Sequence, residues 1–376
     1  MVTAIHAAQA VQAEKSAPQF HVIESRPMPD RYARGWHCLG LARDYRDGKP
    51  HGVSAFGSRL VVFQGEDGQL RALHAWCPHM GADLSIGRVE GNTVVCRFHG
   101  WGFGPDGACS HIPYSKTIPP KARVRGWPTL EENELLFVWN DPEGALPPPD
   151  HNIPRLPQGF SSDWSDWSMS RWVIDNNCRE LVDNLADLGH FGPVHGSSNV
   201  KYFANIFDGH KATQVMVGIN ERLGGTRNHL TTVATYFGPA VLICSMTGEA
   251  EGLPVESILL VTHVPIDQQH FELRFGVKVK KIPALGAEQN AQVAAQYTDL
   301  TIQAFTEDVA VWHNKVRVDN PLLCAGDGPI LQLRDWYEQF YTDVRAVPAR
   351  LAKRREIEID LGLGPQHPPL QHAFGL

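Results

Sequence analysis

The chain has no apolar run long enough to span a bilayer, no basic excess, no internal repeat and no low-complexity tract, and each lack removes a class of function. Its 34 Lys and Arg are outnumbered by 41 Asp and Glu, giving a formal charge of −7, which gives no support for nucleic-acid binding, since that would need a basic face or stripe. The opening segment Met1-Val-Thr-Ala-Ile-His-Ala-Ala-Gln-Ala10 has neither the charged start nor the sustained apolar stretch of a secretory signal. Cysteines number seven, odd and scattered, which argues against a disulfide framework and fits a reducing cytoplasm.

Two of those cysteines belong to a pattern. Cys77-Pro-His79 and Cys96-Arg-Phe-His99 each offer one thiol and one imidazole. Between them, Gly87-Arg-Val-Glu-Gly-Asn-Thr-Val-Val-Cys96 contains a Gly91-Asn92 turn that can fold back as a hairpin and bring the pairs together. A Rieske-type [2Fe–2S] cluster needs this arrangement, because one iron takes two thiolates and the other two neutral imidazoles, which raises the reduction potential. Structural zinc also uses Cys2His2 but usually groups its ligands as Cys-Cys and His-His. Just downstream, Gly102-Phe-Gly104-Pro-Asp-Gly107 matches GxGxxG letter for letter. Pro105 interrupts it and no helical pattern follows, so these glycines read as turns and the chain is expected to bind no nicotinamide.

At 376 residues the chain is too long for a ferredoxin alone and suggests two domains. Residues 1–30 are polar and patternless, a flexible arm. From Arg34 the pattern becomes β: Arg59–Phe63 and Gln69–Leu73 flank a Gly65-Glu-Asp-Gly68 turn, and Glu134–Trp139 reads as a closing strand. Asp141-Pro-Glu-Gly-Ala-Leu-Pro-Pro-Pro-Asp150 then breaks all periodicity as a stiff connector, which puts one domain at 31–145 and another at 146–376. The second shows a helical segment around 176–190, β runs from about 211 to 280, and a long helical pattern from about 288 to 315. That order is α+β, an all-β first domain followed by an antiparallel sheet wrapped by helices.

Asp183, Asp187 and His190 are spaced i, i+4, i+7, so a helix would set them on one face, with His195 following across Gly192-Pro193. Two histidines and one carboxylate make the facial triad that holds non-haem Fe(II) with positions open for dioxygen. Asp308 is the best third ligand: Tyr297, Thr301, Phe305, Asp308 and Trp312 share one helical stripe, and a metal would relieve the cost of burying that carboxylate among aromatics. Glu307 projects about 100° away and reads as solvated. Ordinary core packing competes with substrate contact for Phe305 and Trp312.

These residues, in the order cluster pair, proline-rich connector, Asn177…Asp183-x3-Asp187-x2-His190-x4-His195 and late Asp308, resemble the oxygenase component of Rieske non-haem iron oxygenases. Within that family the chain is most similar to the 3-ketosteroid 9α-hydroxylases, through Arg34-Gly-Trp-His-Cys-Leu-Gly-Leu-Ala42, Asn177-Cys-Arg-Glu180, Tyr236-Phe-Gly-Pro239 and Asp319-Asn-Pro-Leu-Leu-Cys324. Respiratory Rieske proteins carry an extra disulfide-forming cysteine in each loop, and Ala82 and Phe98 stand there instead. Departures from the steroid branch are Arg97 after Cys96, Gly100 after His99, Phe191-Gly-Pro-Val-His195, and less polar residues around Cys244 and Val261.

The resemblance implies a helix-grip catalytic domain and a cluster held by Cys77, His79, Cys96 and His99. It implies a mononuclear iron on His190, His195 and Asp308, with Asp187 and Asn177 in catalytic roles. It also implies Tyr236, Met246, Phe305 and Trp312 on the substrate wall. Electrons would come from NADH through a separate flavin/iron–sulfur reductase, and O2 would hydroxylate a hydrophobic polycycle, in the family a 3-ketosteroid at C9α. Asp187 would bridge a cluster histidine and His190 between subunits, giving a cytoplasmic head-to-tail homotrimer in which His99 approaches the next subunit's Asp187. An aromatic-ring dioxygenase and a pure electron carrier are the alternatives.

Overall fold

The computed structural model describes residues 20–197, 199–219, 230–250 and 253–362. Residues 1–19 of the expected arm lie outside them. The remainder of that arm is bound along residues 317–320: the Asp319 N–H donates to Glu24 O at 2.8 Å and the Glu24 N–H to Asn320 Oδ1 at 2.9 Å.

The first domain is built from β1 (Gly35–Leu41), β2 (His51–Ala55), β3 (Ser58–Gln64), β4 (Leu70–His74), β5 (Arg88–Glu90), β6 (Thr93–Val95), β7 (Gly102–Phe103), β8 (Cys109–His111), β9 (Gly126–Trp127), β10 (Thr129–Glu132) and β11 (Leu135–Asn140). They form three antiparallel sheets, β2-β3-β4-β9, β5-β6-β7-β8 and β1-β11-β10. The unbroken apolar run of β3 is explained by burial on both faces. Val61 and Phe63 pack into the core beneath the cluster loops, while Leu60 and Val62 enter a separate core with Leu136 and Val138. The GxGxxG stretch is the β7–β8 turn. A Cβ on Gly107, which has φ +78°, would fall 2.1 Å from Val124 O, so backbone approach and not phosphate binding requires that glycine.

The second domain contains β12 (Ser168–Ile174), α1 (Arg179–Val182), β13 (Asn199–Asp208), β14 (Lys211–Ile219), β15 (Leu230–Phe237), β16 (Val241–Ala250), β17 (Leu253–Pro265), β18 (Phe271–Val279), α2 (Ala287–His313), α3 (Ile330–Tyr337) and β19 (Arg355–Asp360). Its sheet runs β12-β18-β17-β16-β15-β14-β13-β19, antiparallel throughout. Strands β12, β13 and β19 lie outside the β runs expected over about 211 to 280. In β19, Arg355-Glu-Ile-Glu-Ile-Asp360 alternates charge with isoleucine, as suits an edge strand. The expected helix over 176–190 is corrected: only α1 and a following 3-10 turn, Asp183–Leu185, are helical.

Side chains alternate across this sheet and decide what each face meets. Val241, Ile243, Ile258 and Leu260 point back onto Trp36, Phe137 and Trp139 of the first domain. Leu242, Cys244, Leu259 and Val261 point the other way, toward α2. Each large apolar side chain so buried stabilises the arrangement by roughly 1.5–3 kcal/mol before entropy is counted. Charged groups in the junction are committed: Arg274 donates to Cys38 O at 3.0 Å, and Lys278 reaches Glu134 at 3.2 Å. Among the described residues no helix is long and apolar enough to cross a membrane.

Candidate metal centres and cavity

The two cluster loops repeat one turn. Gly81 N–H donates to Cys77 O at 2.8 Å, and Gly100 N–H to Cys96 O at 3.0 Å. Both glycines have positive φ, +75° and +71°. Cys77 and Cys96 are buried, and the rings of His79 and His99 lie 4.5 Å apart. Trp101 stacks on His79 at 4.6 Å and fixes its plane, while the Trp101 Nε1–H is held by Tyr114 at 2.8 Å. His79 Nδ1 is buried with no hydrogen-bond partner among the described residues. Buried polar atoms are nearly always paired, so this nitrogen marks a place for a group the chain does not supply. Burial, then the neighbouring Cys96, push the Cys77 thiol up to about 11. Nearby metal charge reverses that tendency. Two thiols and two imidazoles converging in this way fit a Rieske cluster. All seven cysteines are free of disulfides.

The second centre forms where the short helix ends. Leu188 N–H donates to Asp327 O at 3.0 Å, diverting the chain, and Gly192-Pro193 lies in a fresh turn in which Val194 N–H donates to His190 O at 2.9 Å. That turn aims both imidazoles inward. The ligand atoms of His190, His195 and Asp308 all lie within 4.8 Å of one another, and His195 Nε2 is 3.2 Å from Asp308 Oδ2. His190 Nδ1 donates to the Asp187 carbonyl at 2.7 Å, which leaves Nε2 with its lone pair free for a metal. The Asp187 carboxylate also accepts the His190 N–H at 3.2 Å, and its side chain remains 35% exposed. Burial alone would lower the His190 pKa, but the Asp187 and Asp308 carboxylates together hold it above its usual value. These residues fit a two-histidine, one-carboxylate iron site.

Two expected residues lie elsewhere. Asp183 does not face the centre; it pairs with Arg334 at 2.6 Å and approaches Arg317 at 3.8 Å. Its neighbour Asn184 takes the place instead, donating to Asp308 Oδ1 at 3.2 Å. The i, i+4, i+7 spacing holds only along a continuous helix, and the helical stretch ends at Leu185. Asn177 is not brought to the centre: its Oδ1 accepts from Arg179 N at 3.1 Å and its Nδ2 donates to Gln268 O at 2.8 Å, which closes the start of α1.

The triad opens on a cavity of about 500 Å³ between the sheet and α2. Tyr236, Met246, Phe305 and Trp312 all line it, and Phe305 lies flat on Phe275 at 4.2 Å. Glu307, expected to be solvated, also borders this cavity. Cys244 and Val261 contribute weakly polar and apolar surface, and burial pushes the Cys244 thiol up to about 12, so it stays protonated. Such a volume lies within the usual range for small-molecule sites.

Comparison with known proteins bears on both domains. Residues 35–128 match the Rieske [2Fe-2S] domain family and residues 138–341 the 3-ketosteroid 9alpha-hydroxylase C-terminal domain family. A Rhodococcus rhodochrous 3-ketosteroid-9-alpha-monooxygenase, oxygenase component, is 46% identical over 88% of this chain and 86% of its own length. The Mycobacterium tuberculosis protein of the same description is 43% identical over 90% of this chain and 89% of its own. Among solved structures, dicamba monooxygenase bound to 3,6-dichlorosalicylic acid superposes with a TM-score of 0.67 at 20% identity, covering 83% of this chain and 98% of that one. That last likeness concerns the fold alone.

Proposed function

The chain belongs to the 3-ketosteroid 9α-hydroxylase family of Rieske oxygenase components, and from that premise we propose that it hydroxylates a 3-ketosteroid-like polycycle, at C9α as the family name specifies. The observation that carries the reading is the His190, His195 and Asp308 triad opening on a mostly apolar cavity of about 500 Å³. When bound, the cluster supplies single electrons and the mononuclear iron supplies reductive activation of O2. Cys77, His79, Cys96 and His99 hold the first, and His190, His195 and Asp308 the second.

The remaining residues bind, orient and exclude water. Asn184 fixes the Asp308 carboxylate by one oxygen and leaves the other toward His195. Asp187 keeps the proton of His190 on Nδ1. Phe305 and Trp312 flank the bound rings, and the inward side chains of β15, β16 and β17 shape the wall. Electrons reach the chain from NADH through a separate flavin/iron–sulfur reductase. The working assembly is a cytoplasmic homotrimer in which His99 of one subunit approaches the next subunit's Asp187. The partial exposure of Asp187 supports this, as do the exposed Met80, Phe98 and Tyr114 around the cluster loops.

The test is turnover with NADH, a Rieske-oxygenase reductase and isotopically labelled O2, on a panel of 3-ketosteroids, bile-acid-like compounds and fused aromatics. One labelled oxygen in a hydroxysteroid is the expected product. Two labelled oxygens in a cis-diol of an aromatic ring would replace this reading with ring dihydroxylation. Reduction of the cluster with no oxygenated product would make the chain an electron carrier.

A further inference from the structure

A second constellation of ligating side chains lies away from the cavity. Asp150 and His151 follow the triple proline of the connector, and His210 sits in the turn between β13 and β14. Their ligand atoms all fall within 4.8 Å of one another, the same span as the His190, His195 and Asp308 triad.

Three observations set this group apart from a chance surface cluster. First, its backbone is held from several sides. The His151 carbonyl accepts from Trp36 Nε1 at 2.7 Å, and His210 O accepts from Gly238 N at 3.0 Å. The adjoining Gly209 carbonyl accepts from Trp336 Nε1 at 2.8 Å and Gln339 Nε2 at 3.1 Å. Second, His210 Nε2 is buried with no hydrogen-bond partner among the described residues, a state that costs free energy unless another group completes it. Third, the three residues border a cavity of about 380 Å³. Arg34, the cation on its wall, is already committed to the carbonyls of Thr342 at 2.6 Å and Gln339 at 3.0 Å.

We propose that Asp150, His151 and His210 form a divalent-metal site of zinc type that fastens the connector to the catalytic sheet. Two imidazoles and one carboxylate with a water in the fourth position suit Zn2+, and Asp150 is open to solvent as such a water requires. The two rings now lie face to face, 4.0 Å apart and 21° from parallel. Edge-on ligation needs each to turn about χ2, a soft and broadly populated torsion for histidine. The metal would bridge residues 150–151 to residue 210 and tie together two segments far apart in sequence. Its contribution is to stability and domain arrangement, not to the oxygenation itself.

The iron-loaded enzyme is dialysed against zinc sulfate and then against metal-free buffer; zinc and iron are counted by mass spectrometry and the thermal midpoint is measured. Wild type is expected to keep one zinc per chain with its iron content unchanged, and to melt a few degrees higher. His210→Ala is expected to keep no zinc, hold the same iron, and show no thermal response. Should His210→Ala fail to fold, Asp150→Ala on the exposed connector must weaken zinc at least by the roughly tenfold that loss of even an outer partner costs. Zinc uptake matched by iron loss, uptake unchanged in the variants, or no uptake by wild type would overturn the proposal.

Discussion

Replacing Asn184 by alanine tests the least expected part of the site. Its Nδ2 donates to Asp308 Oδ1 at 3.2 Å, and Asp308 is 93% buried, so little water can replace the lost donor. A hydrogen bond to an ionised acceptor contributes about 1.5–3 kcal/mol. Part of that is recovered when the bare carboxylate turns toward the metal, so the expected loss in mononuclear iron affinity is about tenfold to hundredfold. The assay is competition with an iron chelator, followed by metal analysis, with the visible absorption of the cluster as internal control. Asn184→Ala should lose the mononuclear iron at chelator concentrations that leave wild type loaded, while the cluster spectrum is unchanged. Asn184→Asp loses the same donor, because a carboxylate has no N–H to offer Asp308. Equal iron retention in all three proteins would refute the argument that Asn184 orients this ligand.

Acid should weaken the domain junction. His37 and His263 are fully buried there; burial holds them down to about 4 and about 3, well below the usual value near 6.5. The unfolded chain takes up protons that the folded chain refuses. Stability is therefore full above about pH 6.5 and falls on acidification by about 1.4 kcal/mol per unit for each ring, or about 2 kcal/mol each by pH 5. His263→Phe should flatten the dependence of the melting temperature on pH between 7.5 and 5, and parallel curves would contradict it. Phe305→Ala removes a ring stacked on Phe275 and packed 5.6 Å from Trp312. Because Phe305 is partly buried, the change should lower stability by about 3 kcal/mol, and it should give hydroxylation at more than one carbon, read by product mass spectrometry. An unchanged single product would remove Phe305 from substrate positioning.

Much of the architecture was legible because local chemistry and fold agree. The Gly65–Gly68 turn, the Gly91-Asn92 hairpin and the long α2 pattern each state their conformation in a few residues. The paired Cys and His loops were legible for the same reason, since ligand spacing is a local property. Residues 176–190 were not. Their helical periodicity is real for one turn, but Leu188 is captured by Asp327 and Asp183 by Arg334, both far along the chain. Such long-range partners decide the path, and nothing nearby in sequence announces them. The exchange of Asp183 for Asn184 at the centre follows directly from that rerouting.

Because neighbours along β16 and β17 serve opposite sides of one sheet, a library confined to positions 242, 244, 259 and 261 would reshape the steroid-facing wall and spare the junction with the first domain. Positions 241, 243, 258 and 260 carry the opposite burden, and drift there should be constrained by assembly and indifferent to diet. New substrate preferences could thus arise by changing every second letter of two strands, leaving electron delivery untouched.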